Sequence, residues 1–338
     1  MKNRSRLGLR WLALALGLTV AAAAVLLVPR FVEGLARRPY TGRSPVIVVM
    51  IDPGMSPPPI FRRLQSNGVI ESARFLELYY RWKGETSLKA GEYEFRMPAT
   101  PVEVLRKLQA GEVVLHQVTI PEGLTAAEIA ARLDEGGVCP ASDYLAAARD
   151  TSLIGAHDGE ARDLEGYLFP ETYAFRHGVG AAEIVRVQVD TFLRRYGELR
   201  GRSAPSLGFR DAVILASMIE RETGQDGERP LVASVFVNRL SRRMLLQCDP
   251  TVIYAMMIEG VYDGTIHRSD LAMASPYNTY LYPGLPPGPI CNPGAAALEA
   301  ALFPPKTDYL YFVSRNDGTH VFSANLSAHT NAVNRYQR

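Results

Sequence analysis

Residues Trp11–Val28 form an uncharged apolar run of 18 residues, and no other stretch restricts the chain more. A helix of about 17–25 such residues is what spans a bilayer. Ahead of it, Met1–Arg10 carries Lys2, Arg4, Arg6 and Arg10 and no acid. Basic flanks of this kind stay on the cytoplasmic side. The expected topology is a cytoplasmic tail (1–10), a single-pass anchor (11–28) in the inner, cytoplasmic membrane and a remainder carried outside. A cleaved signal peptide competes with this reading. Ala21–Ala24 offers small residues, but Val25–Val28 continues the run past them, which favours an uncleaved anchor.

The remaining chain is long enough for two or three domains. Its 37 basic and 35 acidic residues nearly balance, so nothing points to a nucleic-acid partner. Cys139, Cys248 and Cys291 are widely spaced, and no CxxC appears. The six histidines show no paired spacing, so neither a metal nor a cofactor is expected. A Cys248–Cys291 disulfide stays open at this level.

Basic, Pro-containing residues 29–45 read as a linker. Beyond it, IDPGMSPPPIFRRLQSNGVI (Ile51–Ile70) aligns with IPEGLTAAEIAARLDEGGVC (Ile120–Cys139) at a constant offset of 69. Each copy predicts a strand, a Gly turn, a Ser or Thr N-cap and an amphipathic helix closed by Gly. The strands are expected at Val46–Ile51 and Val113–Ile120, so a duplicated strand–helix region occupies 46–140. Tyr79, Tyr80, Trp82, Tyr93 and Phe95 lie between the copies, as core or as stacking planes for sugars.

The chemistry is expected at DAVILASMIERET (Asp211–Thr223), one apolar helix ending in charge. Residues three and four apart share a helix face. Leu215, Met218, Ile219 and Glu222 form one stripe; Val213, Ala216, Ser217 and Glu220 form another. The two glutamates point about 200° apart. Glu222 continues the more apolar stripe, so it is expected to be the more desolvated, and desolvation raises a carboxyl pKa. A carboxyl kept protonated near neutrality is what a general acid requires. LEGYLFPETYAF (Leu164–Phe175) brings Glu165 and Glu171, as site residues or as part of a ring-packed edge. SPYNTYLYPGLPPGPICNP (Ser275–Pro293) holds six prolines and three tyrosines, too many breaks for regular elements. It predicts a long ordered loop whose Tyr277, Asn278, Thr279 and Tyr280 suit a carbohydrate.

ILASMIERET (214–223), ASVFVNRL (233–240), LQCDPTVIYAM (246–256), Ser275–Gly294 and YLYFVSRNDGTHVFSANLSAH (309–329), preceded by LEGYLFPETY, resemble the endolytic murein transglycosylases, the YceG-like or MltG family. The resemblance runs from about Ser44 to the C-terminus. It implies an α+β protein: a transmembrane helix, a LysM-like region over the duplicated units, and a mixed α/β catalytic domain over 141–338. The family's catalytic glutamate, second in its E-x-E-T motif, falls on Glu222. Cys248 departs from the pattern, which has Thr there.

The resemblance implies a lyase acting on peptidoglycan glycan strands, with wall-synthesis proteins as further partners. In such chemistry one carboxyl protonates the leaving glycosidic oxygen. The resulting carboxylate then deprotonates the muramic acid C6 hydroxyl, which closes a 1,6-anhydro ring. One acid/base suffices, unlike the two carboxylates of most glycoside hydrolases. Glu165, Gln247, Asp249, Asn278 and Tyr280 are the candidate substrate contacts. Two alternatives stay open: a muramidase pairing Glu222 with Glu171 or Asp249, and a non-catalytic glycan-binding scaffold.

Overall fold

The computed structural model describes residues 3–84, 86–201 and 207–337. Met1 and Lys2 lie outside the described residues, as do the side chains of residues 3–10, so the expected basic flank is described only as part of a helix. The chain divides into two compact units, Met1–His116 and Gln117–Arg338.

In the first unit, α1 spans Asn3–Ala36 and continues through Pro29. Residues 29–36, expected as part of a linker over 29–45, are therefore helix. The reason is packing: Ala36 is buried and Val32 rests on the core of the unit. Strands β1 (Val46–Ile51) and β2 (Gly91–Arg96) pair antiparallel, Val46 opposite Arg96 and Ile51 opposite Gly91. Helices α2 (Pro57–Ser66), α3 (Ala73–Trp82) and α4 (Pro101–Ala110) complete it. Alternation along the strands turns Val49, Ile51, Tyr93 and Phe95 inward, where they meet Ile60, Phe61, Leu64 and Leu76. Of the five aromatics weighed for sugar stacking, Tyr79, Tyr80, Tyr93 and Phe95 are buried core and only Trp82 is exposed.

The second strand–helix copy falls in the second unit, so the boundary lies after His116 and not at 140. Strand β3 (Leu115–Thr119) leads into α5 (Ala126–Glu135). Their local geometry repeats that of β1 and α2. Gly54 and Gly123 turn at φ 78° and 79°; Ser56 and Thr125 hold matching extended N-cap conformations. Burial separates the copies: Ile129, Ala130 and Leu133 of α5 join the core around Tyr144, Tyr167 and Phe192, which belongs to the second unit.

That unit continues with α6 (Ala141–Ala147), β4 (Thr172–Arg176), α7 (Ala181–Arg200), α8 (Phe209–Glu222), α9 (Arg229–Ser241), α10 (Asp249–Ile258), α11 (Ala295–Leu302), the hairpin β5 (Tyr311–Ser314)–β6 (His320–Ser323) and α12 (Leu326–Tyr336). Its sheets, β3–β4 and β5–β6, have two strands each, so the mixed α/β expectation resolves into helices with small sheets. Helix α8 is central. Ala212–Ile219 are all buried, which a helix achieves only when covered on every side.

Residues 275–293 form an ordered wrap without regular elements, held by buried polar struts. Asn292 Oδ1 accepts from the backbone N–H groups of Gly166 and Leu168 at 2.8 and 2.9 Å. Its Nδ2 donates to Leu124 O and Glu165 Oε1. Gly166 sits at φ 87°, and a Cβ there would lie 2.5 Å from Pro289, so the wrap closes only over glycine. All three cysteines are buried free thiols, and the open Cys248–Cys291 disulfide is not formed.

Candidate active site

The last residue of α8, Glu222, opens into a cleft of about 390 Å³. The cleft is also lined by Arg239 from α9, Gln247 and Asp249 before and at the start of α10, Tyr280 from the wrap, and Phe312 and His320 from the hairpin. The side chain of Glu222 keeps a path to solvent through the cleft, yet atoms crowd its carboxyl. That desolvation raises its pKa to about 7; the Cys248 thiol and Arg239 oppose the rise, and Asp249 adds to it.

Glu220, two residues earlier, is buried in a different way, with a side chain only 5% exposed. The desolvation expected of Glu222 is present, and what sets Glu220 apart is its built-in partners. Arg229 Nη2 donates to its Oε1 at 2.9 Å, and the backbone N–H of Gly294 donates to Oε2 at 2.9 Å. Pairing, not depth, separates the two carboxyls: Glu220 is neutralised by a buried cation, and Glu222 is desolvated without a bonded one.

The segment before α10 is pinned to the wrap. Thr279 Oγ1 accepts from the Cys248 N–H at 3.0 Å, and Thr279 O accepts from the Gln247 N–H at 3.1 Å. Gln247 takes a left-handed φ of 49°. This turns Gln247 and Asp249 outward while Cys248 is fully buried against Glu222. A thiol thus occupies the inner position and donates to the carboxyl. The Tyr280 hydroxyl donates to Asp249 Oδ1, and burial with that bond holds the phenol well above its ordinary pKa.

The structure brings Glu222, Gln247, Asp249 and Tyr280 to one cleft and leaves Glu165 and Asn278 out of it. Glu165 is buried, accepting from the Ala126 N–H at 3.0 Å and from Asn292 at 2.7 Å; it caps the N-terminus of α5. Desolvation raises its pKa to about 8. Asn278 is fully buried, donating to Leu271 O and Met273 O and accepting from the Tyr280 N–H. Both are struts, and neither offers a group to a ligand. Glu171 ion-pairs with Arg195 at 3.1 Å and does not line the cleft, so Asp249 is the one other carboxyl among the described lining residues.

Arg239, His320 and His329 also line the cleft and were not among the expected contacts. Arg239 Nε donates to Leu310 O at 2.7 Å and Nη1 to Leu246 O at 2.7 Å, so a buried cation ties the hairpin to the segment before α10. His320 Nδ1 lies 2.7 Å from Glu228 Oε2, while its backbone N–H donates to Glu228 Oε1 at 2.8 Å. A carboxylate oxygen accepts, so Nδ1 carries the hydrogen of this pair. His329 stacks on Tyr311 with ring centres 5.0 Å apart. Both histidines stand in the motif Tyr309–His329, which was the one available signal; their spacing alone gave none.

The YceG-like family model matches residues 49–335. The chain belongs to the YceG-like family. An endolytic murein transglycosylase of Bacillus subtilis is 33% identical over 85% of this chain and 84% of its own length. One from Streptococcus pneumoniae is 29% identical over 82% of this chain, which spans 56% of that longer protein. A crystal structure of a YceG-like protein from Listeria monocytogenes superposes with a TM-score of 0.56 at 34% identity, covering 85% of this chain and 99% of that one. All the residues that line the cleft around Glu222 except Gln337 lie inside the span that matches the family.

Proposed function

We propose that this YceG-like chain is a membrane-anchored endolytic transglycosylase that cuts glycan strands of peptidoglycan between N-acetylmuramic acid and N-acetylglucosamine. The observation that carries the reading is Glu222: a carboxyl at the rim of a polar cleft, raised to about pKa 7 by desolvation. At neutral pH a large fraction holds its proton and can donate it to a leaving glycosidic oxygen. The carboxylate left behind takes the proton of the C6 hydroxyl, whose oxygen closes on C1. Glu222 ends protonated again and no water is consumed. Arg239 stands near enough to moderate the charge that Glu222 carries between the two steps. Gln247 and Tyr280 offer hydrogen bonds to the sugars at the mouth.

The bilayer reading rests on the apolar helix, whose candidate span runs Ala15–Ala36. The first unit carries the strand–helix copy Val46–Ser66, and the LysM-like assignment of the region rests on the two matching local geometries.

The test is the product. Purified protein is incubated with intact glycan strands and the fragments are weighed. Fragments one water lighter than hydrolysis products carry anhydro ends, as expected here. Fragments at the hydrolysis mass would replace this reading with a muramidase using Asp249, the carboxyl that shares the cleft. Glu222→Gln should cut nothing while keeping its fold; cleavage at the wild-type rate by that variant would overturn the assignment.

A further inference from the structure

Of the five aromatics between the strand–helix copies, Trp82 is the one that the core of the first unit does not absorb. It is 47% exposed, and Leu78, one turn earlier on the same face of α3, is 61% exposed. This end of α3 is fastened to α1. Lys83 Nζ donates to Glu33 Oε1 and lies 4.7 Å from the centre of the Trp82 ring. Arg37 reaches the same Glu33 at 3.5 Å. Ala36 and Val32 of α1 pack into the core that also takes Leu76 and Tyr79 of α3. The outer end of the apolar helix and Trp82 therefore belong to one packed body.

The rise of the helix sets the height of that body. The uncharged run ends at Val28. Glu33 stands about 7.5 Å further along the axis, at 1.5 Å per residue. The polar layer on each side of a bilayer's hydrocarbon is roughly 5–7 Å deep. Lys83 and Trp82, held at Glu33, come level with the headgroups. Indole is enriched in that layer, where its apolar body and N–H are both satisfied. Arg30 on α1 and Arg37 and Arg38 just beyond its end are exposed, and guanidinium matches phosphate in charge and shape.

We propose that the first unit docks onto the bilayer surface through Trp82 and Leu78, with Arg30, Arg37 and Arg38 facing lipid phosphates. The docking rests on the anchor reading above, and its consequence is to fix the tilt of this unit on the membrane.

The chain has two tryptophans, so Trp11→Phe leaves Trp82 as the only indole. The full chain carrying this change is placed in vesicles of phosphatidylcholine and phosphatidylglycerol and washed with alkaline carbonate. Expected are retention, quenching by lipids labelled near the headgroup that exceeds quenching by lipids labelled at the chain end, and iodide quenching weaker than for a free indole by about twofold or more. Retention with iodide quenching equal to free indole and no effect of labelled lipid overturns the docking and leaves the anchor. Release by the wash overturns both.

Discussion

The Cys248 thiol donates a hydrogen bond to the Glu222 carboxyl, inside a wall that desolvates both. Donation to a carboxylate favours its charged form, so this bond holds the Glu222 pKa below the value that burial alone would set. The acid step needs the proton, so strand cleavage is expected to fall as pH rises through about 7. Cys248→Ala removes the donor and should carry that limb to higher pH. Cys248→Thr supplies a stronger donor and should carry it lower. Initial rates across the neutral range measure both; a limb that stays in place in both variants would show that another group titrates.

Arg229 and Glu220 form a pair whose side chains are 6% and 5% exposed, and the pair closes the back of α8. Removing one partner of a buried pair strands the other, at a cost of about 3–5 kcal/mol. Arg229→Met should therefore destabilise the protein by about that amount in chemical denaturation. Glu220→Gln keeps acceptors for the Gly294 N–H and should cost less. It should also retain strand cleavage, unlike Glu222→Gln. Equal loss of cleavage in both Gln variants would show that the pair does more than hold the helix.

Glu165 makes a different prediction, because its folded-state pKa is raised to about 8 from 4.5. For a group raised on folding, the stability is fully present below the unfolded pKa. It is lost as pH rises from there toward the folded value. Across this window the slope approaches about 1.4 kcal/mol per pH unit when one proton separates the states. Glu165→Gln should flatten the decline between about pH 5 and 8 while leaving cleavage intact. Denaturation midpoints measured at both ends of that window decide it; an unchanged slope would locate the titration elsewhere.

The role expected of Glu165 shows where the sequence stopped being legible. Its aromatic and prolyl setting was visible, but the partner that fixes its function, Asn292, lies 127 residues away. Asn278 misled in the same way: in a Pro-rich loop a side-chain amide serves equally to bind sugar or to hold the backbone, and only the positions of Leu271 O and Met273 O decide. Local chemistry read better. The N-cap at Thr125 and the turns at Gly54 and Gly123 stand where the signals of the repeated unit put them. The continuation of α1 past Pro29 was hidden, because a tertiary contact at Ala36 outweighs the local break. For Glu222 the helix phase predicted the desolvation, but the partner that sets Glu220 apart, Arg229, lies seven residues beyond Glu222 and on another helix.

His320 gives the sharpest separation of structure from chemistry. Its Nδ1 side is held by Glu228, whose Oε2 also lies 3.5 Å from the Thr223 hydroxyl, next to Glu222. One carboxylate thus links the end of α8 to the hairpin across the cleft. Glu228 is not among the residues that line the cleft and His320 is, so a strand bound there is expected to meet the ring on its Nε2 edge, away from Glu228. An asparagine amide can replace the Nδ1 donor, and a glutamine amide reaches the place of Nε2. His320→Asn should therefore keep the melting temperature near that of the wild type and lose cleavage by about tenfold, the worth of one substrate hydrogen bond. His320→Gln should be less stable but recover part of that loss in kcat/KM. If instead the asparagine variant cleaves normally and the glutamine variant fails in proportion to its instability, the pair with Glu228 is purely a tie between α8 and the hairpin.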